Sequence, residues 1–103
     1  MSELTITKKN EQEKLIVTAS GRIDTSTSPQ LDTEVKNSLD GITELILDFE
    51  KVSYISSSGL RILLSLHKIM DSKEGRLVIR KPTEMVLEVF DVTGFADVLN
   101  IEK

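Results

Sequence analysis

Cysteine and tryptophan are absent from the 103 residues, and histidine and tyrosine occur once each. Without cysteine there is no disulfide scaffold, no thiolate metal site and no catalytic thiol. One histidine cannot build a His-rich metal site, and 4% aromatic residues leave no platform for stacking bases. A basic surplus is also missing: 13 Lys+Arg stand against 17 Asp+Glu, for a net charge of -4 and a pI near 5.0. Nucleic acid is therefore not the expected partner. No run approaches the ~18 apolar residues that span a bilayer. The first ten residues, MSELTITKKN, lack the apolar core of a signal peptide. The expectation is a cytoplasmic protein without a membrane span.

What is present fits one globular domain over residues 1–103: 39% hydrophobic, 29% charged, mean hydropathy -0.09. Leu4 and Ile6 alternate with Thr5 and Thr7, predicting a strand over 3–8. After a polar turn, Leu15 to Ala19 predicts a second strand, antiparallel to the first because the connection is short. Ser28 as N-cap and Pro29 at the first helical position open a helix, with Leu31, Val35 and Leu39 as its apolar stripe and Gly41 as its end. Ile42 to Phe49 reads as a strand buried on both faces. A polar stretch from Glu50 to Ser58 separates it from a helix over Leu60–Met70, of which Leu60, Leu63 and Leu64 are expected in the core. Leu77 to Ile79 is a further buried strand. Pro82 opens a helix that stops near Gly94, and Phe95 to Leu99 reads as a last short helix or turn. The order ββαβαβαα predicts an α/β domain: a mixed, mostly parallel sheet with an N-terminal edge hairpin, packed by about four helices.

The segment most suggestive of function is Ser56-Ser57-Ser58-Gly59, which follows a buried strand and opens a helix. Functional loops gather at that edge of an open α/β sheet, and a helix start presents unpaired N–H groups and partial positive charge. The run is neither the hydrolase Gly-x-Ser-x-Gly elbow nor a P-loop, since no lysine follows the glycine. His67, the sole histidine, stands nine helical steps of ~1.5 Å beyond Ser58, about 13 Å away, too far to activate these serines. Taken by themselves, the serines fit best as one N-cap with the other two filling a solvated turn.

The stretch 48–64, DFEKVSYISSSGLRILL, resembles the signature of the STAS domain as found in bacterial anti-sigma factor antagonists. GRID at 21–24 and FDVTGF at 90–95 match two further segments of that family. The resemblance implies a STAS-like fold, no enzyme activity, no cofactor and no metal. It implies a phosphorylation switch, with Ser57 as acceptor and Ser56 as the alternative. The implied partners are an anti-sigma factor that is also a serine kinase, and a phosphatase. Asp24, Ser56, Ser57, Ser58, Gly59 and Arg61 would form the partner surface. Asp24 equally suits a local turn in which its carboxylate accepts N–H bonds. Ser56 stands where the family often has Asp, which leaves open an unswitched STAS interaction module in a larger sensory or transport complex. A small-ligand or nucleotide binder using the helix start is the third reading.

Overall fold

The computed structural model describes residues 4–103. The strands are β1 (Leu4–Glu11), β2 (Lys14–Ile23), β3 (Glu44–Ile55), β4 (Arg76–Arg80) and β5 (Asn100–Glu102). The helices are α1 (Ser28–Lys36), α2 (Ser57–Ser72) and α3 (Glu84–Thr93), followed by a 3₁₀ turn at Phe95–Asp97. Glu3, the expected start of the first strand, lies outside the described residues. The sheet runs β1-β2-β3-β4-β5. β1 and β2 form the expected antiparallel hairpin, and every other pairing is parallel.

That order decides the layering. Each strand–helix–strand step moves one place in the same direction, and such crossovers are right-handed. Consequently α1, α2 and α3 all lie on one face of the sheet. Leu15, Val17, Leu45, Leu47, Leu77 and Ile79 point into that layer and share one core with Leu31 and Val35 of α1, Leu63, Leu66 and Met70 of α2, and Val86 and Phe90 of α3.

Among the described residues, the other face carries no helix. Its side chains are the alternate residues of each strand, and ion pairs run across it: Arg76–Glu44, Arg80–Asp48 and Arg80–Glu102. Between these charged rows Ile46 and Val78 are neighbours in register and are buried, although outside the main core cluster.

Several boundaries differ from the sequence expectation. The cap of α1 is Thr27, not Ser28, and the helix ends at Lys36, so Leu39 is buried outside it and Gly41 lies in the following turn. The polar stretch after Glu50 is largely strand: β3 continues to Ile55. Its pairing with β2 shifts register twice, between Thr18 and Ser20 and between Gly21 and Arg22. These bulges bury Phe49, Val52 and Ile55 at every third position instead of every second. On α2, Leu64 is only half-buried and turns outward, while Leu60, Leu63, Leu66 and Met70 face the core. The last helix is the 3₁₀ turn, which leads into β5, a strand the pattern did not announce; the described residues form three α-helices where about four were expected.

Candidate functional site

The two ends of β2 and β3 bring the predicted residues together. Ser56 N donates to the Ile23 carbonyl at 2.8 Å, so the start of α2 is fastened to the end of β2. Ser56 is the N-cap of α2: its backbone is extended and its Oγ accepts from Gly59 N at 3.3 Å. A hydroxyl thus supplies the cap at the position where a carboxylate was the family expectation. Gly59 is required by space. A Cβ there would stand 2.7 Å from side-chain carbons of both Ile23 and Ile55, so only glycine lets the helix start this close to the strand ends.

The three serines differ in what they touch. Ser56 is half-buried and engaged as the cap. Ser58 is half-buried, with its Oγ 3.4 Å from Thr25 Oγ1. Ser57, the first residue of the helix, is exposed, and among the described residues its hydroxyl has no hydrogen-bond partner. It also shares a stripe with Arg61, Leu64 and Lys68, spaced four, seven and eleven residues on, which turns away from the core.

Asp24 organises the adjoining loop. Its Oδ1 accepts from Ser26 N at 3.0 Å, Ser26 Oγ at 2.9 Å and Thr27 N at 3.1 Å. Buried Thr27 completes the turn, donating from Oγ1 to the Arg22 carbonyl at 2.7 Å and accepting from Asp24 N at 2.8 Å. The Ser26 hydroxyl, aided by the Thr27 and Ser26 N–H groups and the Thr27 hydroxyl, holds the Asp24 carboxyl below its ordinary value, against the smaller opposing effect of desolvation. The local-turn reading of Asp24 therefore holds. Its second oxygen faces Arg22 Nε at 3.6 Å.

Sequence reasoning missed two residues here. The Arg22 guanidinium lies 4.5 Å from the centre of the Tyr54 ring, a cation–π contact that joins β2 to the bulged end of β3. Pairing of Arg22 with Tyr54 depends on the second register shift, which no periodicity reveals. Thr83 is the other. Its Oγ1 donates to the Val52 carbonyl at 2.9 Å and accepts from Val86 N at 3.4 Å, so one hydroxyl caps α3 and satisfies β3 beyond the end of β4. His67 lies ten residues beyond Ser57 along α2, away from the serines. Among the described residues no cluster of side chains could hold a metal ion, and no helix is long and apolar enough to cross a membrane.

A mixed sheet with one helix layer, and a serine-capped helix at the ends of its second and third strands, match a known domain. The profile of the STAS domain aligns with residues 5–103. The chain belongs to the STAS domain family. This STAS domain is 28% identical over 94 residues to the anti-sigma-B factor antagonist of Bacillus subtilis, covering 91% of this chain and 85% of the relative. It is 32% identical over 88 residues to BtrV of Bordetella bronchiseptica, whose name marks it as a candidate anti-sigma factor antagonist, covering 84% of this chain and 76% of the relative. The solved structure of the anti-sigma factor antagonist SpoIIAA in its unphosphorylated form shares the fold, with a TM-score of 0.76 at 18% identity over 96% of this chain and 88% of SpoIIAA. The phosphorylated form of SpoIIAA, a Bacillus cell fate determinant, gives 0.75 at 19% identity, covering 96% and 92%.

Proposed function

We propose that this STAS domain is an anti-sigma factor antagonist: it binds an anti-sigma factor that is also a serine kinase, frees the sigma factor, and is switched off by phosphorylation of Ser57. It acts as binding partner and kinase substrate, not as a catalyst, and a phosphatase resets it. The observation that carries the choice of serine is the contrast among the three hydroxyls. Ser56 is committed to the cap and Ser58 to Thr25, whereas Ser57 is exposed and free.

The chemistry of the switch follows from position. Ser57 Oγ attacks the γ-phosphorus of ATP held by the kinase, the Oγ–P bond forms as the bond to ADP breaks, and the hydroxyl proton passes to a base of the kinase. The product carries about -1.5 to -2 charges. At the first residue of a helix the N–H groups and the dipole tolerate such a group, so the domain keeps its fold. On the partner surface the same charge opposes any acidic group it meets. Two unit charges ~6 Å apart at an effective dielectric near 20 repel by about 2–3 kcal/mol before screening, and each 1.4 kcal/mol is about tenfold in affinity. The contact surface comprises Asp24, Ser56, Ser57, Ser58 and Arg61, extended along α2 by Leu64, while Gly59, named with them in the sequence reading, is buried beneath the turn and sets its position.

Incubation with the cognate kinase and ATP should label wild type and Ser56→Ala but not Ser57→Ala. Ser57→Asp should release the kinase in a pull-down. Label that survives Ser57→Ala and vanishes with Ser56→Ala would move the site. The uncharged cap at Ser56 favours a second reading, an unswitched interaction module in a larger assembly. That reading expects stable partner binding unaffected by Ser57→Asp.

A further inference from the structure

Two helices of this domain carry outer stripes of opposite charge with the same spacing. On α2, Arg61 and Lys68 are exposed, seven residues apart, with half-buried Ile62, Leu64 and Ile69 around them forming an open apolar surface. On α3, Glu84 and Asp91 are exposed, also seven residues apart, with Glu88 between them. They line an open groove of about 560 Å³ together with the apolar Leu87, Ala96 and Ile101 and with Lys103.

Among the described residues, Arg61, Lys68, Glu84, Glu88 and Asp91 take part in no ion pair. The segment 82–102 contains Glu84, Glu88, Asp91, Asp97 and Glu102 and no lysine or arginine. Apolar exposure concentrates there too: Met85 at 50%, Val92 at 75% and Val98 at 46% are the large hydrophobic side chains left in water among the described residues. Two unpaired charged stripes, each beside unburied apolar surface, are what a docked helix would cover.

We propose that the occupant is a second copy of this chain, the cationic stripe of α2 in each copy lying against the acidic stripe of α3 in the other. The layering makes the pairing close on itself. Both helices sit on the same face of the sheet, both begin at the ends of parallel strands, and both turn their stripes away from the core. A two-fold axis parallel to the helices then sets each α2 over the partner copy's α3, giving an isologous dimer and not an open chain.

The charges also meet in height. Thr83 binds the Val52 carbonyl, so α3 starts level with Val52. The chain runs three strand residues further, at ~3.3 Å each, before α2 returns five residues at ~1.5 Å each to Arg61, which places Arg61 and Glu84 within about one helical turn. Equal spacing then aligns Lys68 with Asp91. Rim pairs of this kind set register and orientation, while the apolar flanks supply most of the attraction. Because the dimer covers the α2 stripe, a paired copy has its partner surface closed; the self-association itself does not rest on the switching proposal.

Sedimentation velocity of the full chain over a concentration series tests this directly. Wild type should move from the 11.5 kDa monomer toward twice that mass as concentration rises, and less so at high salt. Arg61→Glu/Lys68→Glu and Glu84→Lys/Asp91→Lys, all at exposed positions, should each weaken dimerisation by at least about tenfold while keeping the wild-type circular dichroism. An equimolar mixture of the two variants should recover the dimer, because each then presents the charge the other lacks. Should either pair of reversals disturb the fold, Arg61→Gln/Lys68→Gln and Glu84→Gln/Asp91→Gln replace them, each expected to weaken association in part. A wild type monomeric at every concentration overturns the proposal. So do reversal variants that dimerise like wild type, or a mixture that stays monomeric.

Discussion

Gly59 and Ile55 stand so close that a single methyl on the glycine would come within 2.7 Å of the isoleucine side chain, and within 2.7 Å of Ile23 as well. Both neighbours are buried at the strand ends and have little room to yield. Gly59→Ala is expected to cost about 1–3 kcal/mol as overpacking does. It should also lift the first turn of α2 off the sheet and carry Ser57 with it. Thermal unfolding measures the first effect; loss of kinase-dependent labelling at temperatures where the variant is folded measures the second. An unchanged melting temperature would contradict the contact.

Ser56 holds the same turn from the other side. Removing its Oγ acceptor in Ser56→Ala should cost about 1 kcal/mol, a fall in Tm of about 4–8 °C for a domain of this size. Ser56→Asp should match or exceed wild type in stability, since a carboxylate both caps and complements the helix dipole. Calorimetry of the three proteins side by side checks the order Asp at least equal to Ser, and both above Ala.

Thr83 offers a comparison in which shape is kept. Thr83→Val preserves volume but leaves the Val52 carbonyl without its donor and Val86 N without its acceptor. The expected cost is about 1–3 kcal/mol. Hydrogen exchange should rise at the start of α3 and at the β2–β3 bulges more than in β4. Uniform acceleration across the sheet would show instead that the effect is global.

Asp24 makes stability depend on acidity in a defined direction. Its carboxyl titrates below the ordinary value of 3.8 in the folded chain, so the folded state favours the ionised form. The resulting contribution is complete above the unfolded pKa and disappears as pH falls through the lower, folded one. Between neutral pH and acid below 3.8, Asp24→Asn should therefore lose less stability than wild type. Melting curves across that range test the sign, and parallel losses in the two proteins would refute it.

The elements that showed in the sequence are those whose burial keeps a simple period. The apolar strands around Leu45–Leu47 and Leu77–Ile79, the hairpin and the amphipathic helices followed directly from spacing. The second half of β3 did not, because two bulges move its buried residues to 49, 52 and 55 and only β2 pairs with it there. β5 offers a single apolar residue, Ile101, to any pattern. The serine run and the Asp24 turn were visible as local motifs. Their meeting was not, since Thr25 reaches Ser58 across 33 residues of chain and Arg22 finds Tyr54 only through a register shift. Nor could spacing alone separate the free hydroxyl of Ser57 from its two engaged neighbours.

One sheet covered by one helix layer makes a slab measuring 32 × 31 × 20 Å, with two broad faces of unlike character. The helix-free face is laced by its own ion pairs and lies opposite the layer that carries α2 and α3. It is therefore the natural mounting side for a reporter. Thr7 on β1 is exposed and pairs in register with Thr18, an alternate residue of the helix-free face. Because the chain contains no cysteine, Thr7→Cys would provide a unique thiol for a fluorophore or a surface tether. Kinase labelling and dimerisation should both survive that attachment, leaving the working face of the slab free in solution.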